Sequence, residues 1–150
     1  MSENEEIGAR HKMSEKMNKS VQYWGLIINK LNERIKLDHL KDITNVQAEA
    51  ISYRQEIIEE VRTYSIKIYK LLQKVKTLNK SRFEFYATSY QVKTNGTEKV
   101  KLIDADLSEY QCFIDELDEH VTFLRETSKN LDNLNYAVKN RIEIANILGT

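Results

Sequence analysis

Between Lys67 and Tyr90 the chain interleaves cations with aromatic rings: Lys67, Lys70, Lys74, Lys76, Lys80 and Arg82 alternate with Tyr69, Phe83, Phe85, Tyr86 and Tyr90. Cations follow a phosphate backbone, and aromatic faces stack on bases irrespective of their identity, so this combination suits single-stranded nucleic acid. Lys76, Lys80, Arg82, Phe85 and Tyr86 are the candidate binding residues. A second reading stays open beside this one. From Lys67 to Lys101 there are nine basic and two acidic residues, a balance of +7; from Asp104 to Glu126 there are eight acidic and one basic, a balance of −7. If these segments lie side by side, their charges pair across the interface. Each such pair is worth about 0–1 kcal/mol and sets register without any ligand.

Other chemistry finds little material. His11, His39 and His120 lie on separate segments, and the Glu-x-x-His spacing of a di-iron helix bundle would need a glutamate at Leu117. Cys112 has no neighbouring cysteine for zinc, and as a lone cysteine in mid-helix it reads as structural. There is no glycine-rich phosphate loop and no Gly-x-Ser-x-Gly elbow. The acids at Asp104/Asp106 and at Asp115, Glu116, Asp118 and Glu119 are spread around a helix and read as a solvated face. The expectation is a protein that binds and assembles, without catalysis, metal or cofactor.

The elements that must carry the cationic–aromatic stretch are helices. The chain has 150 residues, no proline and four glycines, so sheet-rich architecture lacks its turn residues and the expected class is all-α. Hydrophobic residues make up 41% and charged ones 31%, and the mean hydropathy is −0.58. Apolar material this lean favours long, thin helix packing or burial between subunits. No apolar run approaches the roughly 20 residues of a membrane span, and the N-terminus lacks the core of a signal peptide. A single cysteine excludes an internal disulfide framework and points to a reducing compartment, so a cytoplasmic location is expected.

Residues 1–9 are expected to be disordered. A first helix is predicted from about His11 to Ile35, with Met13, Met17, Val21, Trp24, Ile27 or Ile28, Leu31 and Ile35 on one stripe. A break is expected near Leu37–Thr44, with Thr44 and Gln47 as a capping box for a second helix from about Asn45 to Thr88. The seam of that helix reads Ala50, Arg54, Ile57, Val61, Tyr64, Ile68, Leu71, Val75, Leu78, Arg82 and Phe85, alternating steps of four and three as in a coiled coil. Asn95-Gly96 is the strongest turn signal. A third helix follows from about Glu98 to Leu148, with a seam from Ile103 and Leu107 through Leu117 and Leu124 to Val138, interrupted at Ser128 and Asn135.

Two long helices joined by a short turn make an antiparallel hairpin, each arm roughly 65–75 Å long at 1.5 Å per residue. They cannot cover both apolar faces with each other alone, so the first helix or other copies of the chain must supply the rest. The third helix is expected to outrun the second after Leu124. Its end, through Leu131, Leu134, Val138, Ile142 and Ala145, reads as an oligomerisation surface or as the face that packs on the first helix of the same chain. The expected organisation is thus residues 1–9, an N-terminal helix and connector over 10–44, and a long helical hairpin over 45–150.

The string Lys80-Ser81-Arg82-Phe83-Glu84-Phe85-Tyr86 resembles the Lys-x-Arg-x-acid-aromatic-aromatic element of the phage recombination mediator proteins (the UvsY family). Leu102-Ile103-Asp104-Ala105-Asp106 is similar to the opening of that family's second long helix. Val138-Lys139-Asn140-Arg141 with Ile142, Ile144 and Ile147 resembles its C-terminal helix. The resemblance spans about residues 45–148; Ala87 stands where the family usually has glycine. It implies a protein that binds single-stranded DNA as a closed ring of identical subunits and helps a RecA-like recombinase displace a single-strand DNA-binding protein. It also implies that Lys80 and Arg82 contact phosphates, that Phe85 and Tyr86 lie nearby, and that Leu131–Leu148 forms the ring. The place of action would be the cytoplasm of an infected bacterial host. The alternative is a coiled-coil scaffold or adaptor, a phage structural or chaperone-like protein, that binds no nucleic acid.

Overall fold

The computed structural model of the chain describes residues 2–36 and 40–149. It is all-α: α1 spans Glu3–Lys36, α2 Leu40–Thr88 and α3 Gly96–Leu148, with no strand among the described residues. As expected, α2 and α3 form a long antiparallel hairpin with an additional N-terminal helix.

Each helix starts earlier than the periodicity predicts, and capping explains two of the three starts. The expected disorder over residues 1–9 gives way to helix from Glu3, because Ser2 and Glu5 form a capping box. The Ser2 amide donates to Glu5 Oε2 at 2.7 Å, and the Glu5 amide reaches Ser2 Oγ at 3.4 Å. Asn95 does the same for α3. Its Oδ1 accepts from the Glu98 amide at 2.8 Å while its own amide donates to Glu98 Oε2 at 2.9 Å. Asn95-Gly96 is therefore a helix cap and not the body of a turn, since an Asn side chain satisfies the orphan amides that a helix start exposes. The expected capping box at Thr44 and Gln47 does not form. Thr44 lies inside α2 and donates its hydroxyl to the Lys41 carbonyl at 2.8 Å. Of the expected break over Leu37–Thr44, residues 37–39 lie outside the described residues and the remainder is helical. At the far end, Gly149 takes φ +68°, the left-handed conformation that closes a helix without Cβ strain.

The chain groups into two compact units, Met1–Val61 with Thr122–Thr150, and Arg62–Val121. This differs from the expected division at 44/45, because α2 and α3 each contribute to both units. In the first unit, α1, the start of α2 and the end of α3 bury Met17, Trp24 and Leu31, then Ile43, Val46, Ala50 and Ile57, then Leu124, Leu131, Leu134 and Val138. On α1, Ser20 replaces Val21 on the buried stripe. Its hydroxyl donates to Glu60 Oε2 at 2.8 Å, and Trp24 Nε1 reaches the same oxygen at 3.4 Å, so one carboxylate pins α1 against α2. Arg34 bridges Asp42 and Glu49 at 2.8 and 2.7 Å, and hydrogen bonds first to Asp42 and then to Glu49 hold its guanidinium above its ordinary pKa.

Arg54, the first charge on the predicted α2 seam, is half-exposed and donates through Nε to Asp132 at 2.8 Å. That pair also shows α3 still running beside α2 at Asp132, past the Leu124 where the pairing was expected to end. Leu131, Leu134 and Val138, expected on an assembly face, lie in the core of a single chain; Ile142 and Ala145 are half-buried. Packing on the chain's own helices accounts for this burial. The exposed apolar residues of this end are instead Tyr136, Ile144, Ile147 and Leu148.

The second unit is an antiparallel hairpin. Tyr64, Leu71, Ile114, Leu117 and Val121 are buried on its seam, and Tyr64 packs edge-on against His120 with ring centroids 4.6 Å apart. Phe113 and His120, seven residues apart on α3, form an additional buried row that the single-seam reading missed. Cys112, read as structural, is exposed.

Candidate nucleic-acid interface

The turn end of the hairpin closes on a small core of Tyr86, Ile103 and Leu107, with Val75, Leu78, Leu102 and Tyr110 packed against it. The heptad count puts Phe85 on the seam; the structure puts Tyr86 there and leaves Phe85 39% exposed. A straight helix advances 3.6 residues per turn, so strict heptad counting drifts off the buried face within a few turns.

This one-residue slip divides the five candidate binding residues. Tyr86 is buried, and its hydroxyl donates to Asp106 Oδ2 at 2.7 Å. That hydrogen bond, followed by burial, raises the phenol above its ordinary pKa of 10.0. Arg82 Nε lies 3.8 Å from the same Asp106 oxygen, with the side chain half-exposed. Arg82 and Tyr86 therefore face α3 and share one carboxylate. Phe85, Tyr86 and Tyr90 form a ring cluster, with centroids 5.2 Å apart for Phe85–Tyr86 and 5.0 Å for Tyr86–Tyr90, both edge-on. The ring of Phe85 is thus partly engaged by its neighbours.

Lys76 and Lys80 are exposed, and neither joins an ion pair among the described residues. Phe83 is half-exposed beneath the Lys99 ammonium, 5.8 Å from the ring centroid, and Lys74 lies 5.0 Å over the Tyr110 ring. Tyr90, Val92 and Val100 add exposed apolar surface beside Lys93 and Lys101. The end of the hairpin therefore presents cations and rings at its surface, beside the exposed acids Glu84, Glu98 and Asp104, and Asp106 engages Tyr86 and Arg82 from α3. Asp106 was legible as part of the Asp104/Asp106 pair, but nothing in its spacing marks it as the partner of a tyrosine twenty residues earlier.

No protein-family model, curated protein or solved structure matches this chain. Functional argument therefore rests on the residues themselves. Among the described residues there is no cluster of three His, Cys, Asp or Glu side chains placed to hold a metal ion; His39 lies outside them. Among the described residues no helix is long and apolar enough to cross a membrane. A shallow groove of about 220 Å³ between Leu31, Arg34, Glu49 and Tyr53 is lined by Lys30 and Arg34 together with Glu33 and Glu49, and the Arg34 guanidinium is already held by two carboxylates.

Proposed function

We propose that this protein is a non-enzymatic, single-stranded DNA-binding recombination mediator. In this role it assembles as a ring and helps a RecA-like recombinase replace a single-strand DNA-binding protein in the cytoplasm of an infected bacterial cell. The observation that carries the reading is the exposure of Lys76 and Lys80 on the same helix face as the half-exposed ring of Phe83, on a segment of balance +7. Cross-helix pairing engages Arg82 but not these two lysines, so the cations remain available to phosphates. The similarity to the mediator family supplies the recombinase, the coating protein and the ring.

The scaffold or adaptor reading has one observation in its favour: Asp106 ties Arg82 and Tyr86 to the hairpin, as register-setting charges would. Binding measurements separate the two. The mediator binds single-stranded DNA more tightly than duplex, with affinity falling steeply as salt rises. Lys76→Ala with Lys80→Ala flattens that dependence by roughly 1.4 in log–log slope, about 0.7 for each phosphate released from a single strand. Wild-type protein that ignores single-stranded DNA at low salt refutes the mediator and leaves the scaffold.

A further inference from the structure

Along the solvent side of α2 in the second unit runs a row that the hairpin end does not account for. Ile66, Tyr69, Leu72, Lys76, Lys80 and Phe83 succeed one another by three or four residues, so the helix stacks them on one face. All six are exposed, with Tyr69 at 63% and Phe83 at 51%. The seam residues Tyr64, Leu71, Val75 and Leu78 occupy a different side of the same helix, buried or half-buried. Exposed helix faces are ordinarily filled with mixed charges and small polar residues. None of the six is acidic, and exposed Glu84 borders the row one turn beyond Lys80. Its two rings stand at positions 69 and 83, and its two cations lie between them.

We infer that this row is a track for a single-stranded polynucleotide, in which Tyr69 and Phe83 stack on bases and Lys76 and Lys80 contact the intervening phosphates. The inference rests on the single-stranded DNA reading above, and it moves the stacking role from Phe85 and Tyr86 to Tyr69 and Phe83. Tyr86 has its hydroxyl committed to Asp106 and its ring buried, and Phe85 is engaged in the ring cluster. Tyr69 and Phe83 lie about 21 Å apart along the helix axis at 1.5 Å per residue. That length matches at most about six nucleotides at the 3.4 Å per-strand spacing of stacked bases.

The other occupant such a face could take is a helix from a second copy, through its acidic α3 segment. A helical partner needs an unbroken apolar seam, and here Lys76 and Lys80 occupy the middle of the row, where a packed helix would bury both cations. A single strand laid along the row meets a ring near each end and two cations between them, partners for its bases and its phosphates.

The test uses the full chain, a fluorescein-labelled oligothymidylate, and an abasic strand of the same length and charge. Tyr69→Ala is expected to weaken oligothymidylate binding about tenfold, the scale of one lost base–aromatic stack. Binding to the abasic strand should stay unchanged, and Tyr69→Phe should restore the wild-type value. Lys76→Ala with Lys80→Ala should weaken both strands alike. Because Tyr69 is exposed, circular dichroism of its variants should match wild type. Unchanged oligothymidylate affinity in Tyr69→Ala overturns the track while leaving DNA binding itself standing. So does equal weakening on both strands, or a changed sedimentation coefficient at unchanged affinity, which would assign the face to a second copy. Failure of wild-type protein to bind either strand overturns the underlying reading and the track together.

Discussion

The two units of this molecule use the same helices in different ways. In the first, three helical segments bury large side chains completely: Trp24, Leu31, Val46, Ile57, Leu124, Leu131 and Val138 are each less than 2% exposed. In the second, Leu117 alone reaches that depth, and toward the turn the core thins to Tyr86, Ile103 and Leu107, at 9%, 4% and 8%. A three-segment bundle surrounds its apolar stripes, whereas the turn end of a hairpin has one inner face and a wide outer one. The outer face there carries lysines and rings beside exposed acids such as Glu84 and Glu98. Deep burial goes with holding the chain together, and the open cationic–aromatic surface is where the proposed DNA contact would be made.

The largest test of this contrast is a buried charge. Val138→Glu should abolish the cooperative unfolding transition of the first unit, because nothing apolar around it can solvate a carboxylate. The same substitution at exposed Ile147 should shift the thermal midpoint little. If the two variants melt alike, the intrachain core at Val138 is wrong and the residue belongs to an assembly face. Next in size, Leu131→Ala should cost about 2–5 kcal/mol in denaturant unfolding and Leu107→Ala should sit at or below the low end, since a site near the turn can collapse around the deletion. A larger loss at Leu107 would break the comparison. Asn95→Ala removes one half of the α3 capping box and should cost about 1 kcal/mol in the same assay.

The smallest effect concerns Tyr86. Its phenol is held above the ordinary pKa by the hydrogen bond to Asp106 and then by burial, so the folded state favours the protonated form. The stability it adds is fully present below about pH 10 and is lost as pH rises through the folded-state value. Tyr86→Phe should therefore be less stable than wild type by a constant margin at neutral pH, a margin that closes above pH 10. A margin independent of pH would show that the Asp106 contact contributes nothing specific.

Particular residues show how far local pattern reaches. The seams of α2 and α3 were legible from Ala50 to Leu78 and from Ile103 to Val138, because apolar spacing at helical period depends only on neighbours along the chain. The first failure was at Phe85 and Tyr86, where a heptad rule outran the 3.6-residue turn. The caps at Ser2 and Asn95 carried a readable Ser/Asn-x-x-Glu signal; Thr44-x-x-Gln47 carried the same signal and lies within α2, since capping depends on whether helix precedes the residue. For the candidate site, the lysines and rings were legible as a set, and their division between the inner and outer faces of α2 was not.

The absence of proline, the scarcity of glycine and the period of the apolar residues were enough to determine an all-α chain of long helices, because they act through local backbone and side-chain sterics. Only tertiary structure decided that Leu131, Leu134 and Val138 are core, that Arg54 meets Asp132, and that Asp106 engages Arg82 and Tyr86 while Lys76 and Lys80 join no ion pair among the described residues. Those outcomes depend on which helix face meets which partner, a relation between residues far apart in the chain that no local spacing encodes.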